Sequence, residues 1–445
     1  MSQAFTVIDE VPVDPAAARV YEHGWQSWSP SGVYDVRATS ARPDLEWQRV
    51  IRFRPGTVPP ETGFQAEGLL VIDPGNGEPA RLFGTADACS VVPSIRARLE
   101  GDRLVVSADG PDQVTHASAA GLGAALAGYG DSWGQRVGAR LSSAPTAWCS
   151  WYHYFLDVTE ADIVENLDAF DRERLPVDVV QVDDGWQASV GDWLELSPRF
   201  ASIRDLATRI RDTGRRAGIW VAPFIVSEHS ALAKQHPEWL HGHAGSNWGG
   251  ALHGLDLTRP DVRDHLARVF TGLRDAGYDY FKLDFLYAGA LPGARATDVS
   301  AESAYRSGLQ LVRDAVGDDA YLLGCGAPIL PSVGLVDAMR VSPDTYNPED
   351  LAAPGVDPLR GRPAVLARAW QQGRFWVNDA DCLIARPGFA LREEWAGVVE
   401  RYGGLRSFSD RVADLDPWGL GTVRRLLGSV PDPVPFAELP DAYQE

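Results

Sequence analysis

The stretch Tyr280-Phe281-Lys282-Leu283-Asp284-Phe285 reads as a β-strand whose period-two alternation places Lys282 and Asp284 on one face. Helical patterns flank it, at Asp261–Ala276 before and Ala301–Val316 after. Working outward, the same rhythm repeats from Thr146 onward. Strands are expected at Ala147–Trp151, Val177–Val182, Ile219–Phe224, Tyr280–Phe285, Tyr321–Gly324, Ala338–Val341, Arg374–Val377 and Arg406–Phe408. Further helices are expected at Glu160–Arg174, Ile203–Ala217, Ala364–Gln372 and Arg392–Tyr402. Caps support the pattern: Thr159 stands three residues before Asp162, and Pro260 with Asp261 suits a first turn. Eight strands with intervening helices over roughly 260 residues have the size and rhythm of a (β/α)8 TIM barrel. An open doubly wound sheet is the alternative, but no G-x-G-x-x-G follows a strand.

Residues 1–142 differ in texture. They are rich in Pro, Gly and short alternating runs such as Arg49-Val-Ile-Arg-Phe53 and Arg103-Leu-Val-Val106, which predict antiparallel strands and a β-sandwich. Residues 143–410 then hold the barrel, and 411–445 form a short tail with one helix near Leu420–Leu427. The expected fold is multidomain, all-β followed by α/β. The formal charge of −20 disfavours nucleic acid and anionic membrane surfaces as partners. No apolar run reaches the length of a membrane span, the N-terminus lacks a basic region leading into an apolar one, and a cytoplasmic enzyme fits. Cys89, Cys149, Cys325 and Cys382 are widely spaced, against both a disulfide framework and a zinc site. The chain has 15 Trp, and aromatic faces suit sugar C–H groups, although most of the 15 are expected in the core. Only Lys234 and Lys282 are lysines among 41 basic residues, so an ammonium kept in a buried-looking strand draws attention.

A barrel carries its chemistry at the C-terminal ends of its strands. Those ends here supply Trp151-Tyr152, Asp183-Asp184, Trp220, Lys282 with Asp284, Cys325, Arg340 followed by Asp344, Asn378-Asp379 and Asp410. Any one of these could be a cap or a loop charge; the set is harder to dismiss. Asp183 and Asp184 repel each other and each needs a partner, such as sugar hydroxyls or a metal. Asp284 beside Lys282 stays ionised, as a nucleophile must, unless the two are only a buried structural pair. Asp344, on a loop, can be partly desolvated and protonated, as a general acid requires. Two carboxyls across one pocket point to glycoside hydrolysis before other chemistries. His241-Gly-His243 looks like a metal pair but is expected in a solvated loop after the third strand.

Nine stretches, in order, resemble the α-galactosidases of glycoside hydrolase family 36, in clan D. They are Gly24-Trp-Gln-Ser-Trp-Ser29, Trp148-Cys-Ser-Trp-Tyr-His-Tyr-Phe155, Gln181-Val-Asp-Asp-Gly185, Gly218-Ile-Trp-Val-Ala-Pro-Phe224 and Gly254-Leu-Asp-Leu-Thr-Arg-Pro260. They continue with Tyr280-Phe-Lys-Leu-Asp-Phe-Leu-Tyr-Ala-Gly-Ala290, Gly324-Cys-Gly-Ala-Pro328, Met339-Arg-Val-Ser-Pro-Asp344 and Phe375-Trp-Val-Asn-Asp-Ala-Asp-Cys-Leu383. The resemblance implies a β-sandwich and a (β/α)8 barrel that hydrolyses terminal α-linked galactose with retention and without metal or other cofactor. It implies Asp284 as nucleophile and Asp344 as acid/base. It carries galactose binding onto Trp151, Tyr152, Asp183, Asp184, Trp220, Lys282 and Arg340, with Cys325 near the 2-position and Trp25 or Trp28 reaching in from the N-terminal part. Melibiose- or raffinose-like oligosaccharides are the implied partners, and association into a homo-oligomer is left open. Relatives carry a C-terminal β-domain where this chain has its short tail. α-N-Acetylgalactosaminidase activity and galactosyl transfer are the near alternatives; a metal-dependent barrel enzyme and an inactive sugar-binding protein are the distant ones.

Overall fold

The computed structural model describes residues 4–40, 46–345 and 358–443. The N-terminal part packs two antiparallel sheets face to face. One has four strands in the order Thr6–Pro12, Arg103–Ala108, Ser94–Glu100, Phe64–Glu67; the other has five, in the order Gly32–Asp35, Arg19–Glu22, Leu69–Asp73, Ala80–Thr85, Val114–Ala119. Alternation drives the sandwich: Leu104, Val106 and Ile95 from the first sheet meet Val20, Leu70, Ile72 and Phe83 from the second in one apolar cluster. The run around Arg49 is not a strand. It belongs to a helix, Glu46–Arg52, packed against the strand Leu240–Asn247, so tertiary contact overrides its local alternation.

Eight parallel strands form the barrel: β1 (Thr146–Cys149), β2 (Val179–Val182), β3 (Arg216–Val221), β4 (Tyr278–Leu283), β5 (Tyr321–Gly324), β6 (Ala338–Arg340), β7 (Val377–Asp379) and β8 (Arg406–Phe408). Each pairs with its sequence neighbour through β7, and β8 pairs back to β1. The amides of Gly404 and Leu405, just before β8, donate to Asn378 O on β7 and close the ring. Tyr280 stacks on Tyr321 at 5.5 Å among Ala147, Val179, Leu323 and Leu405, which fill the lower lumen. Phe281, on the opposite face of β4, meets Phe270 of the helix Pro260–Ala276. Lys282 therefore sits above the apolar plug.

Several boundaries differ from the expectation. β1 stops at Cys149, and Trp151–Tyr154 forms a helical turn above it. The helix from Ile203 ends at Asp212, because Gly214 takes φ +82° and reverses the chain into β3 at Arg216. β7 begins at Val377, not Arg374. His241 and His243 lie on a strand, Leu240–Asn247, in a three-stranded sheet with Ile225–Ser227 and Gly250–Leu255. His241 is buried with Nε2 on Leu291 O at 3.2 Å, and no cluster of three metal-ligating side chains occurs among the described residues. The connection after Asp344 falls, for residues 346–357, outside the described residues. All four cysteines are free. Among the described residues no helix is long and apolar enough to cross a membrane.

The sandwich and barrel are riveted by Arg368, which is fully buried after the helix Arg362–Ala367. Its guanidinium donates to Ser27 O (2.7 Å), Gln26 O (3.0 Å) and Ser29 O (2.9 Å) on the N-terminal side. It also donates to Val341 O (2.7 Å), just beyond β6. Arg368→Met should strip this donor from all four carbonyls, of which Gln26 O keeps the Ser29 amide, and lower stability by at least about 3 kcal/mol, since an unmade buried hydrogen bond costs ~1–3 kcal/mol each. A urea midpoint unchanged from wild type would show that water replaces the guanidinium.

Candidate active site

The upper rim of the barrel gathers most of the expected residues. Asp183, at the end of β2, is 1% exposed and surrounded by donors. Its Oδ2 accepts from Lys282 Nζ at 3.0 Å, Gln181 Nε2 at 2.6 Å and Cys149 Sγ at 3.3 Å. Its backbone amide is tied to Ser150 Oγ at 2.9 Å, so β1 and β4 both fix it. Asp184 turns away to accept from Gln187 Nε2 (2.6 Å) and Trp248 Nε1 (2.9 Å). Burial pushes the Asp184 carboxyl up to about 6; its two donors pull against this, and Asp183 and Asp284 add to it.

Asp284 leaves the end of β4 on the lumen side, 7% exposed. Trp220 Nε1 donates to its Oδ2 at 3.0 Å and the Phe285 amide to its Oδ1 at 2.8 Å. Phe285 makes that bond from the left-handed region, φ +50°, which costs a non-glycine residue free energy and turns the chain sharply at the rim. Cys325, 1% exposed at the end of β5, faces the same carboxylate. Burial pulls the Lys282 ammonium down, but Asp183 and Asp284 outweigh it and its net shift is upward. Lys282 therefore carries its charge.

From the far side, Arg340 at the end of β6 forks between two carboxyls. Nη2 reaches Asp344 Oδ1 at 2.7 Å and Nη1 reaches Asp381 Oδ1 at 2.9 Å. Asp344 is 44% exposed at its side chain. Burial of its inner side pushes that carboxyl up, but Arg340 and then Lys282 overcome it and hold it below the ordinary range; the Trp151 indole also donates to it. Arg340 and Lys282 thus favour the ionised form of Asp344 against its burial, so any proton this carboxyl delivers is held against the pull of the guanidinium. Lys282 links the two halves, since both Asp284 and Asp344 feel its charge.

The remaining candidates divide. Trp28 is half-buried with its ring on Phe285 at 4.9 Å and against Gly326, so it borders the rim beside Asp284 and Cys325. Trp25 is buried beneath the Arg54 guanidinium, 5.4 Å from its ring, within the N-terminal packing. Tyr152 is 1% exposed and its hydroxyl is committed to Asp381. Trp220 serves as a hydrogen-bond donor to Asp284 as well as an aromatic wall. Asp410, at the end of β8, is bound to Arg386 at 2.8 Å and the Ala385 amide at 2.7 Å, an anchor for the chain after β7.

Two participants were missed. Trp248 rides the tip of the hairpin between Leu240–Asn247 and Gly250–Leu255, where Trp248 and Gly249 both have positive φ, as a tight two-residue turn demands. Its ring lies 5.0 Å from Phe285 and 6.4 Å from Trp220. The Asn247-Trp-Gly-Gly250 run was the available turn signal. Asp381 follows β7 and has no such signal beyond its place in the Asn378-Asp-Ala-Asp381 run.

The model of the Melibiase family matches residues 109–313. An α-galactosidase of Thermus thermophilus, solved in complex with stachyose, is 30% identical, with 95% of this chain and 93% of that one covered and a TM-score of 0.78. The same enzyme with p-nitrophenyl α-D-galactopyranoside gives 28% identity, 96% and 92% coverage and a TM-score of 0.78. Among curated relatives, the α-galactosidase AgaA of Geobacillus stearothermophilus is 30% identical over 184 residues, 38% of this chain but only 25% of AgaA. With 95% of it matched by the Thermus protein, the chain belongs to the Melibiase family, the α-galactosidases of glycoside hydrolase family 36.

Proposed function

We propose that this protein is a retaining α-galactosidase acting on terminal α-linked galactose of melibiose- or raffinose-like oligosaccharides. The observation that carries the reading is that Asp284, past the end of β4, and Asp344, past the end of β6, both lie within reach of the Lys282 charge, each held by its own donors. The Thermus relative bound to stachyose supports the substrate class.

In this reading Asp284 attacks the anomeric carbon and Asp344 protonates the departing oxygen, giving a galactosyl ester. Water, deprotonated by Asp344, then releases galactose with its original anomeric configuration. Asp284 is suited to attack because Trp220 and the Phe285 amide fix both of its oxygens. Asp183, Asp184 and Lys282 are proposed to hold the polar edge of the sugar through charged hydrogen bonds, and Trp28, Trp151, Cys325 and Arg340 to border it. Lys282 and Arg340 face the carboxyls of Asp183, Asp284, Asp344, Asp379 and Asp381. That excess of negative charge favours the oxocarbenium-like transition state.

The test is turnover of a panel of p-nitrophenyl α- and β-glycosides, with proton NMR of the first sugar released. α-Galactoside turnover with α-galactose appearing before its β-anomer is expected. Preference for another glycone, or β-galactose as first product, would overturn the assignment.

A further inference from the structure

Asp381 is buried at the centre of the rim and has no room for a substrate. Its side chain is 2% exposed. Oδ1 accepts from Arg340 Nη1 at 2.9 Å and from the Cys382 amide at 2.8 Å. Oδ2 accepts from the Tyr152 hydroxyl and, at 2.9 Å, from the Thr345 amide. A carboxylate offers about four lone-pair sites, so this one is saturated by the protein. It adopts φ +100°, a conformation an L-residue holds only under constraint, and the Asp379 carboxylate takes its amide at 2.9 Å to keep it there. Strain and four converging donors at one side chain that cannot touch sugar call for an indirect role.

The partners name that role. Arg340 gives its other arm to Asp344, and Thr345 is the residue next to Asp344. The guanidinium's one positive charge is therefore divided between two carboxylates. With Arg340 to itself, Asp344 would be pulled further down and would take up less readily the proton that an acid must deliver. The charged and titratable groups facing this pair are Arg340 from β6, Tyr152 from the turn after β1, Asp379 from β7 and Lys282 from β4. Cys149, Tyr280 and Cys382 line the small lumen cavity beneath them. Burial, against the pull of Arg340, pushes Asp381 up to about 6, so it carries its charge over the neutral range.

We propose that Asp381 is a positioning residue for the glycosidase reaction: by occupying one arm of Arg340 and pinning Thr345, it sets the orientation of Asp344 and the pH at which Asp344 yields its proton. The inference rests on the α-galactosidase reading.

The experiment compares pH profiles of kcat/KM for wild type, Asp381→Asn and Asp381→Glu on p-nitrophenyl α-galactoside and on melibiose. Removing the Asp381 charge leaves Arg340 to Asp344, stabilises the ionised acid, and should move the basic limb of the profile down by roughly one pH unit. Melibiose, whose leaving group needs the proton, should lose at least tenfold more kcat than the aryl substrate, and Asp381→Glu should recover part of the limb position. If Asp381→Asn does not fold, Tyr152→Phe replaces it. Loss of that hydroxyl concentrates the Asp381 charge on Arg340, and the limb should then move up. An Asp381→Asn enzyme (or, in its place, Tyr152→Phe) weakened equally on both substrates with an unmoved limb would make Asp381 merely structural. A wild type that turns over neither substrate fails the activity itself and this inference with it; an active wild type with an unmoved variant limb fails the inference alone.

Discussion

Asp284→Ala is expected to lower kcat on p-nitrophenyl α-galactoside by about four orders of magnitude or more, equivalent to roughly 5.5 kcal/mol of transition-state stabilisation at ~1.4 kcal/mol per decade. The loss should be chemical, not conformational. Among the described residues the side chain accepts from the Trp220 indole and the Phe285 amide and faces the Cys325 thiol and Lys282, at a rim built on eight paired strands. Two donors lose their acceptor, a cost set against the removal of a buried charge. Removing this charge also lessens the like-charge pressure on Asp184, which burial holds at about 6 with help from Asp183 and Asp284. The thermal midpoint should therefore change little. Azide added to the variant occupies the space of the lost carboxylate and attacks the anomeric carbon from that side. Inversion then gives β-galactosyl azide, identifiable by its anomeric coupling. Residual turnover above about a tenth of wild type, with no azide product, would remove Asp284 from the nucleophile's role.

The barrel and its candidate rim were legible because β-strand chemistry is local. On β4 the alternation of Phe281 and Leu283 with Lys282 and Asp284 survives folding unchanged, so reading one strand oriented two site residues. Where the reading failed, the deciding interaction came from elsewhere. Arg49–Phe53 alternates well enough for a strand, yet tertiary packing against the strand Leu240–Asn247 takes it as helix. Trp25 and Trp28 stand three residues apart in one motif. Only the fold, through the Arg368 rivet on Gln26, Ser27 and Ser29, turns Trp28 toward Phe285 and leaves Trp25 under Arg54. Trp248 was hidden because its role depends on how a hairpin leans, not on any spacing within it. Asp344 shows a deeper limit. A sequence can place a carboxyl near an arginine, but the sign of its shift follows from which arm of the guanidinium it holds and who holds the other.

Asp344→Ala should discriminate between leaving groups where Asp284→Ala does not. Melibiose and raffinose expel a sugar alkoxide that needs a proton in the transition state, and a positioned general acid contributes ~100- to 10,000-fold to such a step. Nitrophenolate departs with little assistance, so formation of the galactosyl ester from the aryl substrate should fall by less than about tenfold. The second step still needs a base to activate water, so the ester should accumulate. KM for the aryl substrate then drops together with kcat, and a burst of nitrophenol precedes the steady state. Azide, which needs no base, should restore turnover by attacking the ester on the face that the aglycone left. Two inversions give α-galactosyl azide, the opposite anomer from the Asp284 variant with the same reagent. The Arg340 arm now held by Asp344 at 2.7 Å becomes free, and azide has a cationic partner waiting beside its path. An equal fall on both substrate classes, or β-galactosyl azide from this variant, would mean that the proton comes from another group and that Asp344 only balances the charge of Arg340.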